Sequence, residues 1–270
     1  MSLIIILSLL ALGAASGFFA GLLGVGGGMM MVPFLTAMLS RTGVDAGLAI
    51  KMAIATSMAA IMFTSLSSVR AHHRRGAVRW DIVRKIAPGI VVGSLIGSLG
   101  IFAMVKGGYL ALFFGIFVAF SATQMLLNKK PAASRQMPGK AGQFAAGGVI
   151  GLISGLVGAG GGFMSVPFML WCNVAIHSAV ATSAALGFPI AVTNVLGYVW
   201  AGLGLHGLPP WSIGYIWLPA LALIVMMSVL TAPLGAKAAH NLPVASLKKV
   251  FACILYLLAI YMFWKGMTET

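Results

Sequence analysis

The chain has 270 residues, of which 60% are hydrophobic and only 7% are charged, and its mean hydropathy is +1.05. A soluble domain of this length needs far more surface charge, so the composition excludes that class and indicates a polytopic helical membrane protein. The net charge is +14, but the 17 Lys and Arg residues cluster in short loops, as membrane proteins require. We therefore expect no nucleic-acid binding.

Apolar segments follow one another along the whole chain. They are predicted at about 3–40, 44–69, 82–105, 107–128, 143–173, 178–203, 213–236 and 249–266. The first and fifth segments are longer than a simple membrane span and contain glycine runs, which break helices. The pattern predicts an all-α membrane protein with a single transmembrane domain over residues 1–270.

Two blocks of sequence occur twice. Residues 17–34 (GFFAGLLGVGGGMMMVPF) match residues 151–168 (GLISGLVGAGGGFMSVPF) at an offset of 134, and residues 49–60 match residues 175–186 at an offset of 126. Looser echoes pair Trp80 with Trp211 and Pro88 with Pro219. The matches predict an internal repeat over about 1–128, a linker over 129–142 and a second repeat over about 143–270.

Three loops hold 13 of the 17 basic residues, and the positive-inside rule places all three in the cytoplasm: 69–85, 128–140 and 237–249. This placement predicts two inverted-topology repeats, each a glycine-broken helical hairpin followed by three transmembrane helices. The alternative is a parallel repeat in which each glycine-broken segment crosses the membrane once. That arrangement would put the loop 237–249 outside the cell.

The triple glycines are the first candidate site. A helix that begins inside the membrane presents unpaired N–H groups and the positive end of its dipole, which suits an anion. The predicted backbone ligands are Gly26, Gly27, Gly28, Gly160, Gly161 and Gly162. Close helix packing by small residues is the alternative for these glycines, and it is the favoured interpretation for Gly17, Gly21, Gly151 and Gly155.

Polar side chains at repeat-matched positions are the second candidate set. Lys51 and His177 would suit an anionic substrate, although both could instead reach lipid headgroups. Hydroxyl groups offer hydrogen bonds, although in membrane helices they often bond to backbone instead. The predicted side-chain ligands are Lys51, Thr56, Ser57, His177, Thr182 and Ser183, with Asn194 as a weaker candidate.

Acidic residues are few, and none lies deep in a predicted helix: Asp45, Asp81 and Glu269. A carboxylate proton relay, a carboxylate-based sodium site and a cationic substrate are therefore disfavoured. Neither H-E-x-x-H nor G-x-S-x-G occurs, and no Met, His or Cys spacing forms a ligand set, so we expect no enzyme activity, no cofactor and no metal site. A coupling ion (H⁺ or Na⁺) and a homo-oligomer are left open.

The duplicated pattern G-x-x-x-G-x-x-G-x-G-G-G-x-x-x-x-P, at Gly17–Pro33 and Gly151–Pro167, resembles the TauE/SafE family of sulfite and organosulfonate exporters. The A-T-S blocks, the HHRRGAVRW loop and the stretch YIWLPALALIVMMSVLTAPLGAKAAHNLP resemble it too. The resemblance implies an inner-membrane carrier of small sulfur-containing or carboxylate anions, in bacteria or archaea.

Together these features predict a secondary transporter, an exporter of a small anion such as sulfite, an organosulfonate or a related sulfur oxyanion, that works by alternating access. The partners expected are this anion and the lipid bilayer. The alternatives are a passive anion channel, or a carrier of a small carboxylate or a neutral solute.

Overall fold

A computed structural model describes residues 3–23, 27–127, 135–241 and 244–269. The helices are α1 (Leu3–Leu23), α2 (Gly28–Arg41), α3 (Ala46–His73), α4 (Trp80–Leu95), a π-helical segment (Ile96–Ile101), α5 (Phe102–Met104), α6 (Gly107–Leu127), α7 (Lys140–Val157), α8 (Gly162–Trp171), α9 (Ile176–Ala201), α10 (Leu218–Asn241) and α11 (Val244–Glu269). A short antiparallel hairpin, β1 (Ser212–Ile213) and β2 (Ile216–Trp217), precedes α10.

Eight helical segments among the described residues are long and apolar enough to cross a membrane. Large apolar side chains such as Leu7, Ile116 and Leu257 lie on the outer surface. In water such an apolar surface would promote aggregation, whereas in a bilayer it is covered by lipid. The prediction of a polytopic helical membrane protein is confirmed.

Each glycine-rich segment consists of two helices, α1 and α2 in the first case and α7 and α8 in the second. The break falls at Gly27 and at Gly161, whose φ angles are 67° and 73°. Only glycine adopts this left-handed conformation readily. The helices that follow have 14 and 10 residues, which is about 21 Å and 15 Å, and so less than the roughly 30 Å apolar core of a bilayer.

The long arm of each broken segment packs against a helix from the other half of the chain. α1 lies along α10, and α7 lies along α4. A β-carbon on Gly17 would lie 2.4 Å from the Ser228 carbonyl oxygen, and one on Gly151 would lie 2.4 Å from the Ile90 carbonyl oxygen. These glycines therefore allow backbones to touch, which is the packing role expected from the sequence.

This packing also fixes which parts of the two halves correspond. Gly17 and Gly151 differ by 134 residues, whereas their partners Ser228 and Ile90 differ by 138. In the predicted repeat, Trp80 would then correspond to Leu218, the first residue of α10, and this packing does not favour the looser echoes that pair Trp80 with Trp211 and Pro88 with Pro219. The β1–β2 hairpin lengthens the connection before α10 and shifts the register.

The directions of the paired helices bear on the predicted inversion. α1 and α10 run parallel, because Gly13 contacts Ile224, Gly17 contacts Ser228 and Gly21 contacts Ala232. α6 and α11 run antiparallel, because Gly115 lies against Ala259 whereas Gly266 lies against Leu112. In the predicted repeat α6 and α11 are counterparts, and counterparts of inverted halves should be antiparallel. The inverted orientation stays a prediction, which this geometry favours.

Candidate functional site

The two glycine breaks meet in the buried centre of the protein. Gly28, the first residue of α2, is so close to the end of α7 that a β-carbon on it would lie 2.1 Å from the Gly158 carbonyl oxygen and 3.1 Å from Ala159 Cα. Gly27 and Gly161 are buried beside it. Gly26 lies outside the described residues. We call this meeting point, residues 27–28 with 158–162, the glycine junction.

Backbone hydrogen bonds at the junction leave donors exposed to it. The N–H groups of Met164 and Ser165 donate to the Gly161 carbonyl oxygen over 3.1 and 2.9 Å. The N–H groups of Gly162 and Phe163, at the very start of α8, have no backbone partner in the part of the chain described. Such amides carry the positive end of the helix dipole, so the start of α8 can accept an anionic group.

Two of the predicted serines lie at the junction. Ser57 Oγ donates to the Gly158 carbonyl oxygen over 3.2 Å, and Ser165 Oγ donates to Ser183 Oγ over 2.8 Å. Both Ser57 and Ser183 are fully buried. The structure places Ser57 against Gly158, and Ser183 shares a cleft wall with Gly160. Their role as substrate ligands stays a prediction.

The predicted threonines hold neighbouring helices. Thr56 Oγ1 accepts a hydrogen bond from the Trp217 N–H, and Thr182 Oγ1 accepts one from the Arg79 N–H, both over 3.0 Å. Trp217 and Arg79 immediately precede α10 and α4. Each threonine thus anchors the start of a helix by satisfying one of its terminal backbone groups. This geometry favours the helix-holding role that the sequence left open.

The two predicted basic side chains lie away from the glycine junction. Lys51 is half-buried, and its Nζ donates to the Ala103 carbonyl oxygen over 3.1 Å and lies 5.7 and 5.8 Å from the ring centroids of Phe102 and Tyr215. His177 is exposed at the start of α9. The structure does not bring the two together, because each is near the first turn of its own long helix.

Asn194 is fully buried on α9. Its Nδ2 donates to Ser94 Oγ over 3.2 Å and to the Ile190 carbonyl oxygen over 2.9 Å, so it ties α9 to α4. Its Oδ1 has no partner within the described ranges and faces Gly155. Asn194 therefore lies beside the second glycine-broken segment, one turn away from the junction.

A cleft beside the junction contains residues that sequence reasoning missed. It is a narrow cleft between α1, α3 and α9 that is partly open to solvent. Its walls are Ala20, Ile61, Thr64, Ser65, Ser68, Gly160, Ser183, Ala184 and Gly187. The helical spacing of Thr64 and Ser68 after Ser57 and Ile61 was the available signal, since such residues share one face of α3.

Comparisons with known proteins agree with this architecture. Residues 9–262 match the family model described as "Sulfite exporter TauE/SafE". A probable membrane transporter protein from Haemophilus influenzae is 36% identical, over 96% of this chain and 98% of its own length. A probable membrane transporter protein from Methanocaldococcus jannaschii is 24% identical over 94% of both chains. The probable membrane transporter protein YunE from Bacillus subtilis is 27% identical over 96% of this chain and 97% of its own. No solved structure matches.

Proposed function

Because this chain belongs to the sulfite exporter TauE/SafE family of membrane transporters, we propose that it exports a small anion such as sulfite, an organosulfonate or a related sulfur oxyanion. It does so as a secondary transporter, by alternating access. The observation that carries the proposal is the glycine junction. There the start of α2 meets the end of α7 in the buried centre, with Gly28 against Gly158.

Two features of the junction suit an oxyanion. The amides at the start of α8, which have no backbone partner among the described residues, are hydrogen-bond donors in a buried place, and the polar side chains of Ser57 and Ser183 lie beside them. A ligand site near the midplane, built from discontinuous helices in two related halves, is the arrangement used by many secondary transporters. The repeats proposed are about 1–128 and 143–270, joined by the linker 129–142.

The proposed orientation follows from charge. The protein is placed in the cell (inner) membrane with the basic loops 69–85, 128–140 and 237–249 in the cytoplasm, so that the two halves are inverted. Each glycine-broken segment is then a hairpin that starts and ends on one side. A coupling ion and a homo-oligomer stay open in this proposal.

Flux measurements in proteoliposomes test the function. Vesicles containing the protein should move sulfite, sulfoacetate or thiosulfate with saturable kinetics and should exchange internal for external anion. A carrier is limited by domain motions in the microsecond-to-millisecond range. Flux that stays linear in concentration at more than about a thousand ions per second would therefore indicate the channel instead. Flux of lactate or of glycerol alone would assign a carboxylate or a neutral solute.

Cysteine labelling tests the orientation. In a background with Cys172→Ala and Cys253→Ala, we expect Lys249→Cys to react with a membrane-impermeant maleimide only after cells are permeabilised. His206→Cys, on the opposite loop, should react in intact cells. A parallel repeat requires the reverse pattern, with Lys249→Cys labelled in intact cells and His206→Cys labelled only after permeabilisation, and that pattern would overturn the inverted arrangement.

Substitution of Lys51 tests whether its charge contributes to anion binding. We expect Lys51→Ala to raise the KM for anion flux by roughly threefold to tenfold, because a half-buried positive charge attracts an anion through a medium of low dielectric. Lys106→Ala, which removes an exposed charge from the same end of the protein, is the matched control. Equal KM values for both variants and the wild type would limit Lys51 to holding α3 against α5.

A further inference from the structure

One hydroxyl group in the cleft has no explanation in the packing of the protein. Ser68 is 2% exposed, and its Oγ has no hydrogen-bond partner among the described residues. A buried polar group without a partner is destabilising and therefore rare in proteins. Ser68 lies in the wall of the cleft between α1, α3 and α9, so this hydroxyl would gain a partner if a polar molecule widened and entered the cleft.

The cleft reaches the glycine junction at its inner end. Gly160 is part of its wall, and Ile61 Cδ1, also in the wall, is 3.0 Å from the position of a β-carbon on Gly28. From Ile61 to Ser68, α3 rises by about 10 Å. The cleft thus leads from the junction towards the C-terminal end of α3, with Thr64 and Ser65 along the way.

The corresponding region of the second half is closed. At the repeat offset of 126, Thr64 and Ser68 correspond to Ile190 and Asn194. The Ile190 side chain packs on Gly161, and the Asn194 amide is bonded to Ser94. Beyond them the Tyr198 hydroxyl donates to the Gly155 carbonyl oxygen, and its ring packs on Phe102 with centroids 4.5 Å apart. Among the residues that the structure describes, the cleft therefore has no counterpart at these positions of the second half.

Charge on the open side favours an anion. α3 ends at His73, and Arg70, Arg74 and Arg75 are exposed around this end. The wall of the cleft contains no acidic residue. A positive rim concentrates anions at the cleft. The Thr64 and Ser65 hydroxyls are bonded to Ser228 and to backbone carbonyl groups, so Ser68 Oγ is the donor that the wall can offer an anion.

We propose that this cleft binds the transported oxyanion on its way to the junction, with Ser68 Oγ as the hydrogen-bond donor nearest the basic loop 69–85. Thr64 and Ser65 form the wall next to it. The proposal rests on the proposed function, and it adds both a second binding position and the side from which the anion arrives. In the orientation set by charge, this side is the cytoplasm, as an exporter requires.

Ser68→Ala tests this position. Loss of a hydrogen bond to an anion should raise the KM for sulfite flux by roughly tenfold, with a smaller change in maximal rate. Removal of an unsatisfied hydroxyl should at the same time leave the melting temperature of the ligand-free protein unchanged or slightly higher. A purely structural role would instead lower the melting temperature and leave the KM unchanged.

Ser40→Ala is the matched control. Ser40 Oγ is also buried without a partner among the described residues, but it lies on α2 and is not in the wall of the cleft. We expect this variant to keep the wild-type KM. Anion flux by the wild type with an unchanged KM in Ser68→Ala would overturn the cleft proposal alone. A wild type that moves no anion in the panel would overturn the proposed function, and the cleft proposal with it.

Discussion

Replacing Gly28 with alanine should abolish most anion transport. The new β-carbon would lie 2.1 Å from the Gly158 carbonyl oxygen, and both are backbone-defined positions that cannot move independently of their helices. The two breaks would have to separate, at an overpacking cost of about 1–3 kcal/mol, which corresponds to a roughly tenfold to hundredfold loss of binding. The measurement is the initial rate of sulfite flux in proteoliposomes.

The control for Gly28→Ala is Gly148→Ala, which also adds one methyl group within a helix. A β-carbon on Gly148 would meet no atom closer than 3.8 Å, so flux should stay near the wild-type rate. Size-exclusion profiles and melting temperatures of both variants show whether the protein is folded. A folded Gly28→Ala protein with wild-type flux would contradict a substrate site at the glycine junction.

Gly93→Ala should lower the melting temperature in detergent by roughly 5–10 °C. A β-carbon on Gly93 would lie 1.9 Å from the Gly148 carbonyl oxygen, so α4 and α7 would have to move apart along their whole contact. Overpacking of this kind costs about 1–3 kcal/mol, and each kcal/mol lowers the melting temperature of a protein near this size by about 2–4 °C.

Gly148→Ala is the informative partner because it changes the same helix pair. Its methyl group has ordinary van der Waals space, and alanine is the better helix former by about 1 kcal/mol. Its melting temperature should therefore equal or exceed that of the wild type. An equal fall in both variants would mean that any added methyl group weakens this helix pair, and that the close approach at Gly93 has no special role.

Local features of this protein could be predicted from its sequence. Composition and hydropathy determine the membrane class, and the left-handed conformations at Gly27 and Gly161 occur where the glycine runs predicted a break. Ser57 and Ser183, which are matched in the predicted repeat, lie near the glycines, and their role as ligands stays a prediction. Hydropathy and the conformational freedom of glycine are properties of short segments, so they can be read without knowing which helices are neighbours.

The remaining features depend on which helices are neighbours, and hydropathy contains no such information. Thr56 looked like a ligand because the hydroxyl was visible in the sequence, whereas its acceptor role towards Trp217 depends on α10 packing beside α3. Lys51 was placed near the substrate without knowledge of the Ala103 carbonyl group that it reaches. Ser68 was overlooked because only the fold shows that it faces a cleft.

The packing of α1 against α10, a helix from the other half of the chain, has a consequence for biogenesis. α1 is synthesised first, yet its main contact is α10, whose Ser228 follows Gly17 by 211 residues. At about 5–20 residues per second, the ribosome needs roughly 10–40 s to supply that partner. During this interval the glycine face of α1 lacks its native partner. The amino-terminal half therefore completes its native packing only after α10 has been made.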